Sequence, residues 1–142
     1  MGIYLPNNLL DRTIERELVP LCQAYGIGII PWGPLAGGFL TGKYRKGEKP
    51  SPEWRLNDGG RNYGNLFTES NWDKLSRLDD FAAQRGHRLG ELAIAWLLAK
   101  PWVATVISGA REVEQVAVNV AAAQWKLKSE EVAEVDALSA GA

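Results

Sequence analysis

The sequence predicts an α/β fold in which a parallel sheet of few strands is covered by about five helices. Three observations predict it. Residues 13–30 run from a helical stretch through a glycine into a short β-branched run, the rhythm of a parallel sheet. A second β-branched run, residues 103–108, again leads through a glycine into an amphipathic stretch. The intervening stretches carry apolar residues at three- and four-residue spacing, the period of helices with one buried side.

The elements follow in order. Ile3-Tyr4-Leu5 is an extended segment ended by Pro6. Thr13, with Glu15 in the first turn, caps a helix. Ile14, Leu18, Leu21, Cys22 and Tyr25 share one face of it, and Gly26 ends it. Pro20 lies inside that pattern, so the helix begins or kinks near Val19. Residues 27–30, bounded by Gly26 and Pro31, read as a buried strand. From Trp32 to about Ser70 no period is sustained, and so long a loop in a compact domain is functional or flexible. Glycines cluster within it at 33–42 and 59–64.

Ser70, with Asp73 three residues on, opens the next helix. Trp72, Leu75, Leu78, Phe81 and Ala82 form its apolar face, and Gly86 closes it. Leu89, Leu92, Ala93, Trp96 and Leu97 repeat the pattern up to Pro101. After the run at 103–108, Gly109 turns the chain into a helix with Val113, Val116 and Val120 on its buried side. Ser129 caps a last helix carrying Val132, Val135 and Leu138. No repeat of solenoid period occurs.

Bulk properties set the class. The 142 residues suit one domain, 1–142, with a core of useful size. With 46% apolar and 23% charged residues, the composition is that of a soluble globular chain. The net charge is −1 and both signs are interspersed, which points away from nucleic acid and from an anionic membrane as partners. The longest apolar runs are too short to span a bilayer. Met1 leads into Ile3-Tyr4-Leu5 without a basic region, so no signal peptide is expected. Cys22 is the only cysteine, which suits a reducing, cytoplasmic setting. No metal site is expected, and His87, the only histidine, reads as a surface residue at a helix end.

Two stretches carry chemistry. The first is Pro31-Trp32-Gly33-Pro34-Leu35-Ala36-Gly37-Gly38-Phe39-Leu40-Thr41-Gly42-Lys43-Tyr44, directly after a strand. Ligands of parallel α/β folds bind at the carboxyl ends of strands. Glycines let the backbone approach a ligand and expose N–H donors, which suits a pyrophosphate. Lys43 adds a cation, and Trp32 offers a flat face for a ring. By composition alone, the stretch is equally compatible with an ordinary glycine-rich turn around a core tryptophan.

The second is Ser108-Gly109-Ala110-Arg111-Glu112-Val113-Glu114-Gln115-Val116-Ala117-Val118-Asn119. A small-residue turn opening a helix is an anion site. Arg111 stands where its fork can grip a terminal phosphate. Gln115 and Asn119, four apart, share a helical face whose amides can read an adenine edge. Taken singly, each of these is more simply a solvated polar residue.

Taken together, the two stretches resemble the aldo-keto reductases. Asn8-Leu9-Leu10-Asp11-Arg12, Leu92-Ala93-Ile94-Ala95-Trp96-Leu97-Leu98 and Trp125-Lys126-Leu127 strengthen the resemblance, which runs from about Asn8 to the end in the family's order and spacing. It implies a partial, half TIM-type β/α barrel and a place for NADP(H). By that resemblance, Trp32 stacks on the nicotinamide, Gly33, Leu35, Gly38 and Lys43 line the pyrophosphate, Gly109 and Arg111 hold the 2′-phosphate, and Gln115 and Asn119 meet the adenine. An arginine at that turn favours NADP over NAD.

Two departures stand beside it. The family's Asp, Tyr, Lys and His catalytic set belongs to its first four strands, and nothing here matches it; Tyr4, Tyr25, Tyr44 and Tyr63 included. The family's Gln-x-x-Tyr-Asn, whose Gln touches the nicotinamide carboxamide, is here Tyr4-Leu5-Pro6-Asn7-Asn8. A half barrel also leaves open strand edges and a bare inner face, so a homo-oligomer or a partner chain is expected to cover them. Three readings stand open at this point: an NADP(H)-binding chain without activity of its own, a reductase whose catalytic groups come from another chain or from improvised residues such as Tyr63, and a structural domain with relic cofactor motifs.

Overall fold

The computed structural model describes residues 1–58 and 63–140. Part of the glycine cluster expected at 59–64 therefore lies outside the described residues. The sheet begins with β1 (Gly2–Pro6) and β2 (Gly28–Trp32), which run parallel with Gly2 opposite Gly28 and Pro6 opposite Trp32. Residues 103–107 lie along the other edge of β2, touching it in parallel at Ile29 with Val103 and at Trp32 with Ile107. The Ile29 N–H donates to the Trp102 carbonyl at 2.9 Å, and Ala104 donates back to the Ile29 carbonyl at 2.8 Å. The strand expected at 103–108 is thus a segment bridged at its two ends. Pro31 explains the gap: it accepts from the Ile107 N–H at 3.1 Å but has no N–H to return.

Helix α1 (Leu18–Ala24) is preceded by one 3-10 turn, Thr13–Glu15, so the expected break before Pro20 falls at Glu17. Its end is a Schellman closure: Gly26 at φ +64° donates to the Gln23 carbonyl, and Ile27 donates to the Cys22 carbonyl at 2.8 Å. The expected buried face is only partly correct. Ile14 and Cys22 are buried, with Val19, against Ile29, whereas Leu18, Leu21 and Tyr25 are exposed, Tyr25 by 75%. The reason is geometric. The described chain has no element on that flank of α1, so an apolar stripe has nothing to pack on.

Helix α2 (Glu69–Ala83) is capped by Thr68 rather than Ser70; the Thr68 hydroxyl accepts the Asn71 N–H at 3.2 Å. Helix α3 (Leu89–Leu98) is apolar almost all round and correspondingly enclosed, from Leu89 to Leu97. Helix α4 (Val113–Ala122) corrects a second expectation. Val113, Val116 and Val120 are not buried, Val113 being 82% exposed, and only Ala122 is enclosed. Helix α5 (Ser129–Ser139) starts one residue beyond its cap, Lys128, and buries Val135 against α2 and α3. Asp136 on α5 accepts from the Trp96 indole and from Lys100 Nζ, each at 2.8 Å, and Arg12 lies 3.3 Å away. His87 is half-buried rather than a free surface residue, stacked on Trp125 with 3.9 Å between ring centres.

The main core joins α2, α3 and α5 to the loop after β2. That loop lacks a period but not an anchor. Phe39, Tyr44, Trp54, Phe67 and Trp72 form one aromatic cluster, with Phe39 4.8 Å from Trp72 and Tyr44 5.1 Å from Trp54. Such pairs are favourable beyond their burial alone.

Candidate functional site: a cationic cradle at the strand ends

The pairing of Trp32 with Ile107 puts the ends of β2 and of the 103–107 segment side by side. The two predicted motifs therefore leave the sheet next to each other, at its carboxyl end. Side chains alternate along a strand. Ile29 points into the helix layer, so Trp32 and Tyr4 point to the other face, where Trp32 is 47% and Tyr4 61% exposed. Asn8 ties this end together. Its amide donates to the Gly33 carbonyl at 3.1 Å, and its side-chain oxygen accepts the N–H groups of Leu10 and Asp11.

The glycine-rich stretch folds into tight 3-10 turns over Ala36–Thr41. Gly33, Gly37, Gly38 and Gly42 all have positive φ, between +67° and +99°. At Gly38 the absent side chain leaves room for Lys43: a Cβ there would sit 3.4 Å from its Cε. At Gly37 a Cβ would meet Leu56 at 2.9 Å and Tyr63 at 3.1 Å, so the loop closes over the turn at that point. The Leu35 side chain is half-buried and packs against the core.

Lys43 lies over the rings of Tyr44 and Trp54, 5.2 Å from each centre. Its pKa is lowered, first by burial and then by the charges of Arg111 and Arg55; Glu112 offsets part of this. Three cations thus share one neighbourhood. Arg55 reaches it because Trp54 and Leu56, on either side, are anchored in the aromatic cluster, and the Tyr44 hydroxyl accepts the Leu56 N–H at 3.2 Å. The Arg55 guanidinium makes a 3.4 Å contact to the Tyr63 hydroxyl, and that of Arg111 a 3.4 Å contact to the Glu53 carbonyl. Among the described residues, none of the three forms an ion pair with a carboxylate. Three crowded cations, partly offset by Glu112 but in no ion pair with a carboxylate among the described residues, suit an anionic ligand.

At the second motif, Gln115 Oε1 accepts the Arg111 N–H at 2.7 Å, closing the turn at the start of α4. Asn119 lies one helical turn further and is half-buried. The structure therefore brings Gly38, Lys43 and Arg111 into one region, with Trp32 and Gly33 at the adjoining strand end and Gly109 in the neighbouring turn. Sequence reasoning missed Arg55. It sits in an aperiodic stretch, and no local pattern marks it; only the aromatic anchors carry it to Lys43. Two surface concavities, one beside Arg12 and Asp136 and one between Tyr44 and Trp72, contain none of the expected cofactor residues. Among the described residues, no helix is long and apolar enough to cross a membrane.

The comparisons with known proteins agree with this architecture. The aldo/keto reductase family model matches residues 3–140. A probable voltage-gated potassium channel subunit beta of Oryza sativa is 40% identical over 81% of this chain and 36% of its own length. An L-glyceraldehyde 3-phosphate reductase of Escherichia coli O157:H7 is 36% identical over 94% of this chain and 40% of its own length. A glycerol dehydrogenase structure from Gluconobacter oxydans superposes with a TM-score of 0.78 at 26% identity, covering 96% of this chain and 41% of that one. The chain thus spans about two-fifths of the length of these relatives, and its fold is part of their α/β barrel.

Proposed function

Since the chain belongs to the aldo/keto reductase family, we propose that the strand-end cradle holds NADP(H) and that the chain by itself does not reduce a carbonyl. The observation that carries this reading is the convergence of Lys43, Arg55 and Arg111, none paired with a carboxylate among the described residues, at the carboxyl end of a parallel sheet. These residues fit the group. The positive-φ glycines keep side chains away from the turn surface, so phosphates can approach the backbone. Lys43 and Arg55 would neutralise a pyrophosphate, and Arg111 would take the 2′-phosphate. Trp32 presents a ring face to the nicotinamide side, and Asn119 an amide to the adenine side. When bound, the cofactor supplies a hydride. The chain's residues would bind and orient it, and none of them matches the family's Asp, Tyr, Lys and His catalytic set.

The cradle is read as working within a larger assembly, in a cytoplasmic setting that suits the single buried thiol of Cys22. Following NADPH fluorescence during titration with the purified chain tests cofactor binding. Saturable binding that Arg111→Ala weakens is the expected result, and its absence at millimolar concentrations removes the reading. An aldehyde-reduction assay tests the second half: measurable turnover by the chain alone overturns the claim of no catalysis.

A further inference from the structure

Lys43 differs from other lysines in what surrounds its amine. Lys46 pairs with Glu69, and Lys100 pairs with Asp136 at 2.8 Å. Lys43 has no carboxylate partner among the described residues, and its Nζ lies 5.2 Å from the ring centres of Tyr44 and Trp54. Two guanidiniums flank that position. Arg55 follows Trp54 directly in the chain, and Arg111 reaches the carbonyl of Glu53, the residue before Trp54, at 3.4 Å. A further neighbour is Gly38, where a side-chain carbon would come within 3.6 Å of the amine. The glycine therefore leaves the amine uncovered, and the Lys43 side chain is exposed, so a small molecule can reach it. Burial and the charges of Arg111 and Arg55 hold the amine below the ordinary lysine pKa, against the opposing charge of Glu112. A lysine so placed keeps more of its neutral, nucleophilic form.

We propose that Lys43 is a reversible covalent acceptor for phosphorylated aldehydes, with the phosphate held by Arg55 and Arg111 and the aldehyde carbon presented to Nζ. The proposal rests on the cationic geometry of the cradle and not on its holding a nucleotide. The step balances without a further reactant. The neutral amine adds to the carbonyl carbon and gives a carbinolamine. A proton passes from nitrogen to oxygen, and loss of water leaves a carbon–nitrogen double bond. Nothing is oxidised or reduced, and water reverses the step. Each part of the aldehyde has a partner here. Its phosphate meets two guanidiniums that form no ion pair with a carboxylate among the described residues. Held there, it keeps the carbonyl beside the amine, which turns a bimolecular encounter into a local one. The protonated imine is still a cation, so it keeps its place over the two rings.

The test uses pyridoxal 5′-phosphate as the probe on the full chain. Borohydride reduction fixes the imine, and peptide mass spectrometry locates it. Lys43 should be modified about tenfold faster than any other lysine. Pyridoxal, which lacks the phosphate, should lose that preference. Arg55→Ala and Arg111→Ala should each slow modification of Lys43 by about threefold to tenfold and leave the other lysines unchanged. Modification spread evenly over the lysines, or equal rates at Lys43 with pyridoxal and its phosphate, overturns the proposal. So does a fast phase that persists in Lys43→Met. NADPH titration is read separately. Preferred modification of Lys43 in a chain that does not bind NADPH sustains this proposal and removes the cofactor reading; NADPH binding without preferred modification does the reverse.

Discussion

The side-chain oxygen of Gln115 accepts the backbone N–H of Arg111 at 2.7 Å. The amide expected to meet an adenine is therefore engaged in holding the turn that carries the guanidinium. The two residues should respond differently to truncation. Arg111→Ala should weaken NADPH about tenfold more than NADH, since a charge-assisted contact to the 2′-phosphate exists only for the former. Gln115→Ala loosens the turn for both, with a similar loss of about threefold to tenfold for each. Calorimetric titration with both nucleotides decides; equal losses for Arg111→Ala remove its phosphate role.

Lys43 gives the cradle a pH dependence. Burial and the neighbouring arginines hold its pKa below the ordinary lysine value of 10.5. A bound phosphate opposes those causes, so binding raises the pKa and takes up protons. Affinity for NADPH should therefore fall as pH rises through the lowered pKa of the free chain, earlier than an ordinary lysine would produce. In Lys43→Met, affinity measured across the same range should be weaker throughout and lack that alkaline decline.

Gly33 and Gly37 separate backbone strain from crowding. Both have φ near +68°, but a Cβ at Gly33 meets open space whereas one at Gly37 runs into Leu56 and Tyr63. Gly33→Ala should cost about 1 kcal/mol of stability through the left-handed backbone alone. Gly37→Ala should cost about 2–3 kcal/mol, because the loop must also give way. It should also weaken NADPH more, since the displaced loop carries Arg55. Urea unfolding beside the NADPH titration checks both, and equal stability losses would contradict the contact at Gly37.

Asp136 joins the last helix to the rest. It accepts from Trp96 and from Lys100, whose side chain is 10% exposed. Asp136→Asn leaves Lys100 charged and without its counter-ion, at a cost of about 2 kcal/mol after allowing for the partial exposure of the carboxylate. Thermal unfolding should show the loss, while NADPH affinity measured well below the transition stays unchanged. Retained stability would mean that Lys100 finds another partner.

Much of this was legible along the chain. The helices at 69–83 and 89–98 announce themselves by period, and Gly26 and Gly86 end their helices at positive φ as their positions suggest. Both stretches proposed to hold a cofactor were visible because each is a local pattern of small residues after a β-branched run. Arg55 was not, since its place depends on where Trp54 and Leu56 are buried.

Local sequence determined where the chain is helical, where it turns, and which short stretches can approach a phosphate. Those properties depend on neighbours within a few residues, through backbone sterics and hydrogen bonds. Only the tertiary structure decided which apolar stripes are covered. The stripes of α1 and α4 have the same spacing as those of α2, yet α2 packs on α3 and α5 while the other two face outward. Burial belongs to a pair of surfaces, and the pattern along one helix describes only one of them.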